Sequence, residues 1–215
     1  MTAAAELGTL PEWNLADLYA SPADPKFAAD MKLGEADAAA FAGKYRGKLA
    51  GLSGDELAAA LKDYETLSDL LGRTGSYAQL HYVGDTADAA RAKFYGDNNA
   101  KLTEISTLLL FFELELNRID DAALAGKMSS AALAHYKPWI DNLRMEKPYQ
   151  LDDKLEELFL EKSQTAAGAF NRLFDETMAG LRFEVGGEKL PLEPTLNLLV
   201  DKDEARRKAG AEALA

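Results

Sequence analysis

The sequence predicts a mainly α protein, a multi-helix bundle or array with one short β-hairpin near residues 182–192. Three observations predict it. Apolar residues recur at i, i+3, i+4 and i+7 through most of the 215 residues. Ser, Asp, Pro and Gly fall where helices should begin or stop. One Gly-Gly pair, Gly186-Gly187, separates two short strand-like runs. With 47% hydrophobic residues the chain can bury a core, unlike a disordered segment.

Residues 1–12 read as a leader ending in Leu10-Pro11-Glu12, and Trp13, Leu15, Leu18 and Tyr19 as a short apolar turn capped by Asn14. Ser21-Pro22-Ala23-Asp24-Pro25 breaks the chain, and a helix is expected from Pro25 to about Tyr45 with Asp24 as its cap. After Gly47, Gly51 and Gly54, the spacing of Ser53 and Glu56 is that of a capping box. Leu57, Leu61, Tyr64, Leu67, Leu70 and Leu71 then keep one face of a helix reaching Val83, with Gly72 and Gly75 as its weak points.

The longest periodic segment runs from about Ala87 to Ile119, where Leu102, Ile105, Leu109, Phe112 and Leu116 share a face; such a helix belongs at the centre of a bundle. Asp120-Asp121 caps a shorter helix, Pro138 opens another, and Lys147-Pro148 ends it. Further helices are expected over Leu151–Ser163, Ala166–Ala179, Pro194–Val200 and from Asp201 onward. Residues 13–200 are read as one helical lobe, and 201–215 as the start of a helix leading into a further region, because that helix is still running at Ala215.

Charge and composition exclude several functions. Against 36 acidic side chains stand 24 basic ones, a net charge of −12, which repels phosphate backbones and anionic membrane surfaces; neither nucleic acid nor membrane is an expected partner. Without cysteine there is no disulfide, thiolate metal site or cysteine nucleophile. Met1 to Leu10 has neither the basic start nor the apolar stretch of a signal peptide, and the longest apolar run is Leu108 to Phe112, so a cytoplasmic location is expected.

The two histidines, His81 and His135, limit the chemistry. Neither has a second histidine at the spacing of H-E-x-x-H, and neither follows a Glu at the spacing of a di-iron bundle. Gly43-Lys44 and Gly126-Lys127 lack the rest of a phosphate loop, and Gly51-Leu52-Ser53-Gly54 is one residue short of a nucleophile elbow. A Ser–His–Asp triad assembled from distant residues stays open, and would need His81 or His135 within hydrogen-bond reach of a Ser. Asp152, Asp153, Glu156, Glu157 and Glu161 crowd one helix, either as an acid–base site or as a solvated face near a helix N-terminus. Glu113 and Glu115 flank Leu114, and a buried Glu there is expected to pair with an Arg. Tyr77, His81 and Tyr82 form an aromatic, hydrogen-bonding stretch that could line a peptide-binding cleft; the competing reading is a satisfied contact between helices.

Several phrases together resemble one family. Trp13-Asn14-Leu15-Ala16-Asp17-Leu18-Tyr19, Ser76-Tyr77-Ala78, Leu110 to Leu116, Phe170 to Glu176, Leu181 to Val185 and Asp203 to Lys208 occur in this order in oligoendopeptidase F-type zinc metallopeptidases, relatives of thimet oligopeptidase. The resemblance implies a mostly helical ellipsoid with a deep channel that admits short peptides. It also implies a zinc ion held by H-E-x-x-H and a further Glu in the later part of the polypeptide. This chain contains none of that motif, so no catalytic residue and no metal ligand is assigned to it. The expectation is an N-terminal, non-catalytic lobe of a zinc-dependent oligoendopeptidase, inactive alone and binding no zinc itself. Its partners would be short peptides and the C-terminal catalytic lobe of the same polypeptide, with Tyr77, His81 and Tyr82 as candidate channel-lining residues. A stand-alone acidic helical module that binds or scaffolds a partner is the alternative. The lobe reading predicts exposed apolar surface where the catalytic part would pack.

Overall fold

The computed structural model describes residues 13–215; the predicted leader, residues 1–12, lies outside the described residues. Helix α1 spans Pro25–Tyr45. The Asp24 carboxylate accepts at 2.9 Å from Lys26 N–H, a donor that the helix start leaves free, and at 2.9 Å from Ala20 N–H in the preceding turn. Its buried positions, Phe27, Met31, Gly34, Ala38, Phe41 and Tyr45, alternate steps of four and three, the spacing of a helix seam. Gly47 turns the chain with φ 78°, a conformation that favours glycine, and its N–H donates to Glu115 at 2.7 Å.

Helix α2 is a single rod, Gly54–Val83, and starts at the predicted capping box: Ser53 Oγ accepts from Glu56 N–H while the Glu56 carboxylate accepts from Ser53 N–H at 2.8 Å. Gly72 and Gly75 do not interrupt it. A methyl group built on Gly72 meets nothing within 4 Å. Gly72→Ala is therefore expected to stabilise the fold by about 0.5–1 kcal/mol, through helix propensity alone. A rise of roughly 1–4 °C in the thermal midpoint would show it; an unchanged or lower midpoint would contradict it.

Helix α3, Ala89–Arg118, is capped by Asp88 and buries Ile105, Leu109, Phe112 and Leu116 as the periodicity predicts. Helices α1, α2 and α3 pack pairwise, and the larger core lies among them. Short helices α4 (Asp121–Lys127) and α5 (Ala131–Ala134) pack on α2, and α6 (Lys137–Met145) packs on α3. Arg144 ties that end together. Its guanidinium donates to the carbonyls of Leu116, Asn117 and Ile119 at 2.9–3.2 Å and pairs with Asp121. It thus serves the carbonyls that the end of α3 leaves free. Lys147-Pro148 ends α6 as predicted, and the chain then takes a tight 3-10 turn over Lys147–Tyr149.

Helix α7, Asp153–Ser163, packs on α3; it begins two residues later than predicted because Asp152 is the cap, accepting from the Lys154 and Leu155 N–H groups. Helix α8 is Ala167–Gly180. Strands β1 (Phe183–Val185) and β2 (Glu188–Leu190) pair antiparallel, Phe183 opposite Leu190. Gly186 and Gly187 supply φ of 61° and 88° for the two-residue turn. Helix α9 (Leu192–Asn197), a 3-10 turn (Leu198–Val200) and α10 (Glu204–Leu214) follow, and α10 packs back on that turn and on β1. Where a helix over Pro194–Val200 was predicted, α9 starts at Leu192 and tightens over its last three residues.

The carboxylates flanking Leu114 do not meet an arginine. Glu113 accepts from the Tyr64 hydroxyl at 2.9 Å, and Glu115 from Gly47 N–H. The acidic face of α7 has local partners: Asp152 caps the helix, Asp153 pairs with Arg118 and Glu156 accepts from Leu151 N–H at 2.8 Å.

Candidate functional site

Beside the larger core sits an aromatic one, where Tyr19, Phe27, Met31 and Tyr77 pack with Leu15, Leu18, Phe94 and Leu102. It places the predicted stretch. Tyr77 and His81 are one helical turn apart and share a face of α2, so the His81 imidazole lies parallel to the Tyr77 ring, centroids 6.0 Å apart. The edge of Phe94, from α3, closes the stack 5.8 Å from His81. Tyr19 and Phe27 meet Tyr77 at 5.3 and 5.7 Å.

The outer side of this cluster borders a groove of about 550 Å³, lined among others by Trp13, Leu15, Tyr77, His81 and Arg91. Trp13 is mostly exposed, whereas Tyr77 is only 2% exposed and shows the groove little more than its border. Arg91 Nη1 donates to the His81 carbonyl at 3.1 Å, bringing a cation to the end of α2. Tyr82 is elsewhere. One residue beyond His81, it is turned about 100° around the helix. It is buried, stacks on Tyr95 at 5.1 Å, and is not among the residues lining the groove. Its buried hydroxyl has no hydrogen-bond partner among the described residues.

The groove's electrostatics follow from burial. Desolvation, and secondly the Arg91 charge, hold the His81 imidazole below its usual range, against a weaker pull from Asp88. Burial raises the Tyr77 phenol, with Asp24 adding to it. Neutral His81 is then a hydrogen-bonding group rather than a cation near neutral pH. The sign of the pH dependence is fixed by this shift. As pH falls through about 6.5 the unfolded chain takes up the proton first, so this group's share of stability is complete above that pH and declines below it. A proton NMR titration should find the His81 midpoint below about 6.5, and Arg91→Gln should move it upward; a midpoint above 6.5 would contradict both causes.

Chemically the groove presents aromatic edges, one imidazole and one guanidinium. Among the described residues no group of three or more His, Asp or Glu side chains is arranged to hold a metal ion. Neither His81 nor His135 is part of such a group among the described residues. Among the described residues no hydrogen bond joins an imidazole to a serine hydroxyl. No helix is long and apolar enough to cross a membrane among the described residues. Sequence reasoning missed Arg91, Phe94 and Tyr95, which reach the stretch from another helix; their one signal was aromatic and basic residues at one-turn spacing early in α3.

A second feature is a set of uncovered apolar faces. On α7, Leu155, Leu158 and Phe159 are exposed, and on α8, Phe170, Leu173 and Phe174, each set at i, i+3 and i+4. Phe159, Phe170 and Phe174 are 61–70% exposed. Met145, Tyr149 and Leu151 are exposed in the same part of the chain. Helix α8 has no buried residue, and among the described residues no element packs on it extensively.

A family model described as Oligopeptidase F matches residues 115–183. Among curated proteins nothing matches. The crystal structure of oligoendopeptidase-F from Enterococcus faecium has a similar fold, with a TM-score of 0.68 at 17% identity. The match covers 88% of this chain and 36% of that one, so this chain spans about a third of its length. The chain is similar to the N-terminal region of an oligoendopeptidase F-type peptidase.

Proposed function

We propose that this chain is the N-terminal, non-catalytic lobe of a zinc-dependent oligoendopeptidase that hydrolyses short peptides, and that it forms part of the wall of the substrate channel. One observation carries the reading. The stretch matching the Oligopeptidase F family, residues 115–183, contains both helices whose apolar faces lie uncovered, α7 and α8. An amphipathic helix needs a partner for its apolar side, and large exposed patches mark interaction sites. In this reading the partner is the C-terminal catalytic lobe of the same polypeptide, in which zinc would supply the activated water. No step of that chemistry falls to this chain, whose donor set does not fit the metal. Its part is to bind and exclude: the groove beside Tyr77 and His81 offers an aromatic border and the Arg91 cation to a peptide.

Reading the gene beyond the codon for Ala215 tests this. An open frame with H-E-x-x-H supports the lobe, and the 215-residue chain should then leave quenched fluorescent peptides uncut. A stop codon, or peptide cleavage by the chain alone, would overturn it and give the stand-alone binding module the lead.

A further inference from the structure

A pocket of about 560 Å³ opens between α2 and the α5–α6 corner, apart from both the groove and the uncovered faces. Its walls are aromatic. Tyr64 stacks on Phe112 with centroids 4.7 Å apart and faces Trp139 at 6.0 Å, and Tyr136 stands beside them. Both phenols are committed as donors to carboxylates, Tyr64 to Glu113 at 2.9 Å and Tyr136 to Glu65 at 3.2 Å. A phenol that donates to an anion holds more electron density in its ring, which strengthens the negative face that attracts cations.

The rim adds formal charge. Glu65 and Asp69 lie one turn apart on α2, both exposed, and no lysine or arginine is among the residues lining the pocket. Their cationic partners are neighbours on their own helix, Lys62 at 2.8 Å from Glu65 and Arg73 at 3.5 Å from Asp69, while Glu65 also accepts from Tyr136. Exposed pairs of this kind contribute little and exchange partners readily. Trp139 keeps about a third of its surface open to the pocket side and solvent. We propose that this pocket binds an organic cation, a guanidinium or alkylammonium head, between the Tyr64, Tyr136 and Trp139 rings and the Glu65 and Asp69 carboxylates. The inference is independent of the peptidase reading.

The test uses the 215-residue chain carrying Trp13→Phe, which leaves Trp139 as its single tryptophan. Trp139 emission is followed at fixed ionic strength during titration with two pairs of probes: N-acetyl-arginine amide against N-acetyl-norleucine amide, and choline against 3,3-dimethylbutan-1-ol. The charged member of at least one pair should give a saturable change, with about tenfold higher affinity than its uncharged match. Binding of the arginine amide assigns the source to a basic peptide side chain; binding of choline alone assigns it to a small quaternary ammonium. Glu65→Gln with Asp69→Asn, at exposed positions that should leave the circular dichroism unchanged, should weaken binding several-fold. Tyr136→Leu should weaken it further. Equal responses within both pairs, no saturable response, or indifference to the neutralised rim would overturn the proposal.

Discussion

Phe112→Ala should cost about 3–5 kcal/mol of stability, the usual range for emptying a buried phenylalanine site. Phe112 is fully buried at the point where the three long helices meet. Its ring stacks on Tyr64 at 4.7 Å and meets Phe41 edge-on at 5.1 Å and Phe111 at 6.3 Å. The substitution loses the transfer free energy of the ring and leaves a cavity that these rigid neighbours cannot collapse into. It also removes the support beneath Tyr64, whose hydroxyl bonds across to Glu113. In thermal unfolding followed at 222 nm the midpoint should fall by roughly 10 °C for a chain of this size. Phe170→Ala is the contrast: the same chemistry at a side chain 70% exposed should change stability by less than about 0.5 kcal/mol. Comparable losses in the two variants would refute this account of the core.

The second large effect concerns association. With Leu155, Leu158 and Phe159 uncovered on α7 and Phe170, Leu173 and Phe174 on α8, the chain in isolation should self-associate as its concentration rises. Light scattering should give a mass above that of a single chain, and a fluorescent dye that prefers apolar surface should bind. Replacing Phe159, Phe170 and Phe174 with Ser should return the chain to single-chain mass and cut the dye signal several-fold, without lowering the thermal midpoint, because these side chains contribute little to the fold's own core. A parent chain that stays monomeric and dye-free at high concentration would show that the faces need no cover. That outcome would weaken the lobe reading with it.

Local chemistry made the helices legible. Asp24, Ser53 and Asp120 announce helix starts through bonds spanning two or three residues, and each acts as a cap in the structure; the last helix, expected from Asp201, starts at Glu204 behind an Asp203 cap. The Gly186-Gly187 turn is equally local. What depended on distant partners was not legible. Glu113 was expected to meet an arginine and instead meets a tyrosine 49 positions earlier. One-turn spacing puts Tyr77 and His81 on one face of α2, but the groove beside them also takes Arg91 from the next helix and Trp13 from before α1. Tyr82 was grouped by adjacency in sequence, and a helix sends adjacent residues to different faces. The exposure of α7 and α8 was foreseen only in kind, since periodicity shows that a face is apolar without showing what covers it.

The order in which the core closes along the chain has a consequence for synthesis. Every side chain of the larger cluster, and every one packed against it, lies between Ala38 and Leu143. Its helices are sequence neighbours, the low contact order that lets helical bundles fold in microseconds to milliseconds. A ribosome adding about 5–20 residues per second needs several seconds to deliver the residues that follow. The bundle can therefore condense while α7 and α8 are still being made, and their apolar faces emerge onto an already folded platform. Nascent chains stalled near residue 185 should already resist protease over α1 to α6, so the uncovered faces of α7 and α8 emerge only after the bundle that carries them has folded.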